Sequence, residues 1–243
     1  MDPVAFRIFG IEIMWYGVLI SLGVLLGVFA ALKECRKIGF DENNLLDFLI
    51  IAIPCGIIGA RAYYVIFSWD YYSHNLSEII NIRNGGLAIH GGLIVGVIVG
   101  WLFCRKRKIK ILQLLDIIVP SVSLGQSIGR WGNFINQEAY GRPTNLPWAI
   151  VVDGQKVHPT FLYESIIDFA LFIFLTWFMR KKKLTDGQVF SLYLILYSIG
   201  RFFVEGLRTD SLIFLGMRVA QLVSLGSIIA GVVLWIYLKK KEA

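Results

Sequence analysis

Residues Met14–Leu32 read MWYGVLISLGVLLGVFAAL, nineteen positions without a charge, closed by Lys33, Arg36 and Lys37. At about 1.5 Å per residue such a helix covers about 28 Å, close to the hydrocarbon thickness of a bilayer. Backbone groups in lipid must bond within their own segment, so the stretch reads as a helix and not as a strand. Six further stretches qualify in the same way: Leu45–Trp69, Leu87–Cys104, Ile111–Ile128, Thr160–Met179, Val189–Gly206 and Val219–Leu238. The sequence therefore predicts an all-α, polytopic membrane protein with seven transmembrane helices. The whole chain, 1–243, reads as one membrane-embedded domain, because no polar stretch is long enough to fold separately.

Composition agrees. The 243 residues are 56% hydrophobic, and mean hydropathy is +0.66, well above the range of soluble domains. A net charge of +7 suggests nucleic acid until its distribution is examined. Fifteen of the 24 basic residues fall in four clusters: Lys33–Lys37, Arg105–Lys110, Arg180–Lys183 and Lys239–Lys241. Each follows an odd-numbered helix, which puts all four on one side. By the positive-inside rule that side is cytoplasmic, the N-terminus lies outside and the C-terminus inside. The other side holds Arg7, Arg83, Arg130, Arg142, Lys156, Arg208 and Arg218, widely spaced. Nucleic acid is not an expected partner; the lipid bilayer is. The longer outer connections, 70–86 and 129–159, mark the outer face as the working face.

An ionisable side chain inside a membrane costs several kcal/mol unless it is paired, so its placement carries information. Counted at 1.5 Å per residue, His90 stands about 5 Å inside the outer boundary. Tyr197, Arg201 and Glu205 are spaced by four on one face of the sixth helix, and Arg208 continues the stripe. Tyr16, Arg61 and Glu164 also fall in outer halves. Only Asp47 and Asp116 are expected near the inner side, without partners close in sequence. A carrier needs polar groups through the midplane toward both faces. A transporter or binding protein for an anionic lipid or solute is the competing class, and the one-sided clustering counts against it.

Three segments carry the chemistry. In Gly85-Gly86-Leu87-Ala88-Ile89-His90-Gly91-Gly92 a histidine sits between glycine pairs at a helix entrance. It reads as a proton-handling imidazole, or as a packed ring where glycines let helices approach. In Gly129-Arg130-Trp131-Gly132-Asn133-Phe134-Ile135-Asn136-Gln137-Glu138-Ala139-Tyr140-Gly141-Arg142 a guanidinium meets amides and a carboxylate. A planar fork can grip a phosphodiester through two parallel hydrogen bonds, with Asn133, Asn136 and Glu138 on glycerol hydroxyls or orienting the arginine. The plainer reading puts Trp131 and Arg130 in the interfacial belt. The Tyr197–Arg208 stripe reads as a second cationic contact with its own carboxylate, or as an ion pair tying the helix into the bundle. His158 through Glu164 reads foremost as a helix start, with Pro159 ending the loop.

No nucleophile elbow, zinc helix or glycine-rich phosphate loop is present, and His74, His90 and His158 are too scattered for a metal site. Cys35 and Cys104 fall at the inner side and Cys55 near the middle, so any nucleophile arrives with the substrate.

In the segment Gly129–Gly141 and around His90 the chain resembles the prolipoprotein diacylglyceryl transferases. Trp15-Tyr16-Gly17, His158–Glu164 and the Tyr197–Arg208 stripe fit in order, over essentially the whole length. The connection after Arg142 is shorter than the insertions of some members. The resemblance implies transfer of diacylglyceryl from phosphatidylglycerol to the lipobox cysteine of a prolipoprotein signal peptide, forming a thioether and releasing glycerol phosphate. It implies a bacterial cytoplasmic membrane, an outer-leaflet site and no cofactor. It assigns catalysis to His90, Arg130 and Arg201, and substrate contacts to Arg130, Asn133, Glu138, Gly141, Tyr16, Tyr197, Glu205 and Arg208.

Overall fold

A computed structural model describes residues 2–82, 85–214 and 216–242; Arg83, counted above among the sparse basic residues, lies outside them. The described residues form eight α-helices and three two-stranded hairpins. The helices are α1 (Trp15–Ile38), α2 (Glu42–Phe67), the short α3 (Trp69–Tyr72), α4 (Ile89–Arg107), α5 (Ile111–Ile135), α6 (Thr160–Lys181), α7 (Gln188–Glu205) and α8 (Val219–Glu242). Six of them, all but α3 and α7, are long and apolar enough to cross a membrane. The chain is thus a polytopic helical membrane protein. The expected seventh span, α7, has 18 residues and includes Gln188, Arg201 and Glu205, which dilute its apolar character.

The chain divides into two compact units, one made of residues 1–39 with 115–243, the other of residues 40–114. In the first unit α1, α5, α6, α7 and α8 form a bundle. Small residues let α1 and α5 touch: a Cβ on Gly27 would stand 3.2 Å from the Ser121 carbonyl, and one on Gly23 3.3 Å from that of Gly125. Val119, Leu171, Leu175, Met179 and Val189 make the apolar centre between α5, α6 and α7. Ser127 and Ser165 link α5 to α6 through a 2.8 Å hydroxyl-to-carbonyl bond, and Ser191 binds the Gly231 carbonyl at 2.7 Å.

Contacts fix which helix ends lie together. Arg180 at the end of α6 pairs with Glu34 at the end of α1. Asp116 accepts 2.8 Å bonds from the Gly187 and Phe190 amides, capping α7, and pairs with Lys183 at 3.2 Å. This is the basic end. Asp116 is therefore partnered across the fold, and the buried Glu34, which sequence reading passed over, joins it there. In the second unit Asp47 at the start of α2 pairs with Arg107 at the end of α4.

The connections depart from the all-helical expectation. β1 (Val4–Ile8) pairs with β2 (Ile11–Met14), β3 (Ile150–Val152) with β4 (Gln155–Val157), and β5 (Ile213–Phe214) with β6 (Met217–Arg218). The middle hairpin turns on Asp153-Gly154, both left-handed at φ 48° and 78°, the twist a two-residue hairpin needs. Helix ends also shift. α5 runs on to Ile135, so Arg130, Trp131 and Asn133 stand on its last turns and not in a loop.

Candidate active site

At the end of the first unit opposite the basic clusters, three helix ends present charge to one another. α5 brings Arg130, the first turns of α6 bring Glu164, and the last turns of α7 bring Arg201 and Glu205. The Glu164 carboxylate is shared: one oxygen stands 3.1 Å from Arg130 Nη1, the other bonds Arg201 Nη1. Arg201 Nη2 reaches Glu205 at 2.7 Å, and Arg208 Nε lies 3.9 Å from the same carboxylate. Both glutamates are buried, and the Arg130 and Arg201 side chains keep about a fifth of their surface open, at 19% and 20%. Glu164 holds the pair of guanidinium groups close together, which like charges would otherwise resist.

Around this core the packing is specific. Tyr197 stacks on Tyr193 one turn away, ring centroids 5.4 Å apart, and the Tyr193 hydroxyl meets Gln126 on α5 at 3.2 Å. The Tyr16 ring packs against Gly132, where a Cβ would collide with it. Trp131 donates to the Ser165 hydroxyl at 3.1 Å, which ties the indole to α6. Asn133 Nδ2 donates to Glu138 at 2.8 Å. Gln137 and Ala139 flank that glutamate in left-handed conformations, φ 53° and 58°. A cavity of about 220 Å³ opens there, lined by Asn133, Phe134, Glu138, Tyr140, Val152 and Phe161.

Gly141 serves the backbone. Its amide bonds the His158 carbonyl at 3.0 Å, it bridges to Arg208, and a Cβ would stand 2.7 Å from that of His158. Arg208 points its fork at Asp210, with bonds of 3.0 and 2.8 Å. Those bonds hold the Asp210 carboxyl below the usual carboxylate range. His90 belongs to the second unit, exposed at the start of α4 with the Tyr63 ring 6.0 Å away.

The first unit thus gathers Tyr16, Arg130, Asn133, Glu138, Gly141, Tyr197, Arg201, Glu205 and Arg208. Sequence reading treated Glu164 as part of a helix start; its place on the helix between those of Arg130 and Arg201, 34 and 37 residues away, hid the shared contact. It passed over Asp168, one turn further along α6. Asp168 is buried, its Oδ2 has no hydrogen-bond partner, and it lines a void of about 10 Å³ with Glu164, Tyr197 and Arg201. The signal was available, since a carboxylate inside an apolar helix is costly wherever it occurs. Among the described residues no three of His, Cys, Asp and Glu gather as metal ligands.

Fold and site together define an integral membrane protein with a cluster of arginines around buried carboxylates at one end of a helix bundle. The chain belongs to the prolipoprotein diacylglyceryl transferase family, whose model matches residues 3–237. It is 61% identical to the phosphatidylglycerol–prolipoprotein diacylglyceryl transferase of Finegoldia magna, over 99% of this chain and 97% of that one. It is 55% identical to the protein of that name from Clostridioides difficile, over 100% and 97%, and 48% identical to the one from Bacillus mycoides, over 99% and 93%.

Proposed function

We propose that this chain transfers diacylglyceryl from phosphatidylglycerol to the thiol of a prolipoprotein lipobox cysteine, and that Arg130 and Arg201 hold the phosphate during the transfer. The observation that carries this is the sharing of the buried Glu164 by two guanidinium groups that still have N–H donors open. Membership of the family over nearly the whole chain supports the reaction class.

The chemistry runs as a substitution. The cysteine sulfur bonds to the glycerol carbon, the bond from that carbon to phosphate oxygen breaks, and the oxygen keeps the electron pair on departing glycerol phosphate. The thiol proton passes to His90. Charge growing on the phosphate is met by Arg130 and Arg201, which Glu164 and Glu205 keep aimed. Asn133 and Glu138 take the glycerol hydroxyls of the headgroup, Tyr16 and Tyr197 line the lipid side, and Arg208 with Gly141 closes the site from the connection after α7. No step requires a cofactor.

The protein sits in the bacterial cytoplasmic membrane as one catalytic domain with seven crossings, the N-terminus outside and the site in the outer leaflet. α7 supports the seventh crossing, because it runs from the capping Asp116 to the opposite end, where Arg218 bonds the Glu205 carbonyl and Gln221 that of Phe202. Its 18 residues cover about 27 Å. Incubation in phosphatidylglycerol vesicles with a lipobox peptide tests the activity: the peptide should gain one diacylglyceryl unit on cysteine. An unmodified peptide in the presence of folded protein sinks the reading. Orientation is tested in intact cells with an impermeant thiol reagent, which should label cysteines placed at Ser73 or Lys156 and spare one at Lys182.

A further inference from the structure

In the second unit, one turn of α2 grips the chain that leads into α4. Arg61 uses every guanidinium N–H on backbone carbonyls: Nε to Ile79 at 2.8 Å, Nη1 to Gly85 and Gly86 at 3.0 and 2.9 Å, Nη2 to Glu78 and Asn81 at 2.5 and 3.0 Å. Its face lies 5.0 Å from the centre of the Tyr72 ring. The neighbouring residues extend the grip. The Ala60 carbonyl accepts the Ala88 amide at 3.0 Å, and Gly59 and Gly91 meet backbone to backbone with no room for a side chain on either. Tyr63 places its ring 6.0 Å from that of His90. Residues 59–63 thus hold residues 85–91 at successive points. The exposed His90 imidazole makes no side-chain hydrogen bond among the described residues, so the path of its backbone and the Tyr63 ring are what place it.

We infer that Arg61 is a positioning residue for His90, acting through the carbonyls of Glu78, Ile79, Asn81, Gly85 and Gly86 and not on substrate. A buried arginine invites the reading of a phosphate ligand, but its donors are all committed. Releasing any of them would leave a carbonyl without its partner. The shape of the connection demands this residue type. Gly85 and Gly86 take φ of 87° and 74°, and a Cβ on Gly86 would strike Arg61 Nη1, so the loop is built around the guanidinium. Lysine could follow the charge but not the five-fold donor pattern.

The inference rests on His90 being the proton acceptor, and the test separates the two. Transfer kinetics in phosphatidylglycerol vesicles are compared for Arg61→Lys, His90→Gln, the double variant, and Tyr63→Leu alone and with His90→Gln. Arg61→Lys should lower kcat about tenfold, the scale on which a misplaced group costs rate, with KM for phosphatidylglycerol unchanged. In the double variant the Arg61 change should cost nothing further, because the group it positions is already gone. Tyr63→Leu leaves the Arg61 bonds intact and guards against a lysine variant that does not fold; its smaller loss of kcat should also vanish in the His90→Gln background. Losses that multiply in both double variants, an unchanged kcat in the single variants, or a raised KM in Arg61→Lys would overturn the proposal. A wild-type rate in His90→Gln alone would instead remove His90 from proton transfer, and the positioning role with it.

Discussion

Arg61 and Arg130 are both arginines inside apolar helices, yet one is closed and the other open. Arg61 is 8% exposed and spends all its donors on five carbonyl oxygens of its own unit. Arg130 has a 19% exposed side chain and, among the described residues, one ion pair, at 3.1 Å with Glu164. A guanidinium in lipid surroundings must find partners, and a saturated one has found them within the fold. One with donors to spare can take a partner from outside, as proposed for Arg130. The number of uncommitted N–H groups is what separates the two arginines, and it supports the binding role proposed for Arg130.

The most direct way to break that contrast is at Arg130. If it clamps a phosphodiester, Lys keeps the charge but loses the paired bonds, each worth roughly 1.5–3 kcal/mol. Arg130→Lys should slow transfer about tenfold to a hundredfold, and Arg130→Gln more than that, by the usual conversion of energy to rate. Initial rates in phosphatidylglycerol vesicles, normalised to folded protein, decide it. A Lys variant within about twofold of wild type would return Arg130 to the interfacial belt.

A second substitution sharpens the role of the shared carboxylate. Glu164→Gln leaves an amide where two guanidinium groups meet, so they repel and splay. The expected loss is about tenfold in kcat, together with a lower Tm, because two partly buried cations lose their anion. Full activity with a lower Tm would mean that Glu164 holds the bundle and does not aim the clamp. Asp168→Asn should do less. Its Oδ2 has no partner, so an isosteric amide gives up no observed bond, and we expect the rate to stay within about threefold. A tenfold fall would show that the arginines need the Asp168 charge as well.

The helices were plain in the sequence because hydropathy is summed over many residues, and six stretches stayed apolar along their length. α7 was also visible as an apolar run, but Arg201 and Glu205 pull it toward the polar side. The residues that make a membrane helix functional are those that make it look less like one. The stripe on α7 followed from a spacing of four, and the Arg130 segment from its concentration of polar residues. The Glu164 bridge was not legible, since it joins α5, α6 and α7 across 37 residues in one direction and 34 in the other. The Arg61 grip escaped for a different reason. Its acceptors are backbone carbonyls, and no residue type announces where a carbonyl will point. The hairpins were hidden behind turn residues that fit any loop; only Asp153-Gly154 had the dipeptide of a two-residue turn.

Arg208 stands between the two kinds of arginine, and Asp210 tests which kind it is. Its Nε and Nη2 are committed to Asp210, but that carboxylate is half exposed and can be displaced by another anion. The Asp210 carboxyl is held below its usual range by those bonds, against an opposing push from partial burial. A lowered folded-state pKa contributes stability above the unfolded value, near 3.9, and that contribution is lost as pH falls through the folded value. With half the side chain in solvent the pair is worth about 0.2–1 kcal/mol. Asp210→Asn should therefore lower Tm slightly at neutral pH, and the difference from wild type should close as the medium is acidified below the folded pKa. Transfer should change by less than about twofold, because the substitution frees donors without removing any. A Tm gap that persists in acid would show that Asp210 acts through packing and not through charge. A tenfold drop in rate would place Arg208 with Arg61, as a guanidinium that must be held by the protein to do its work.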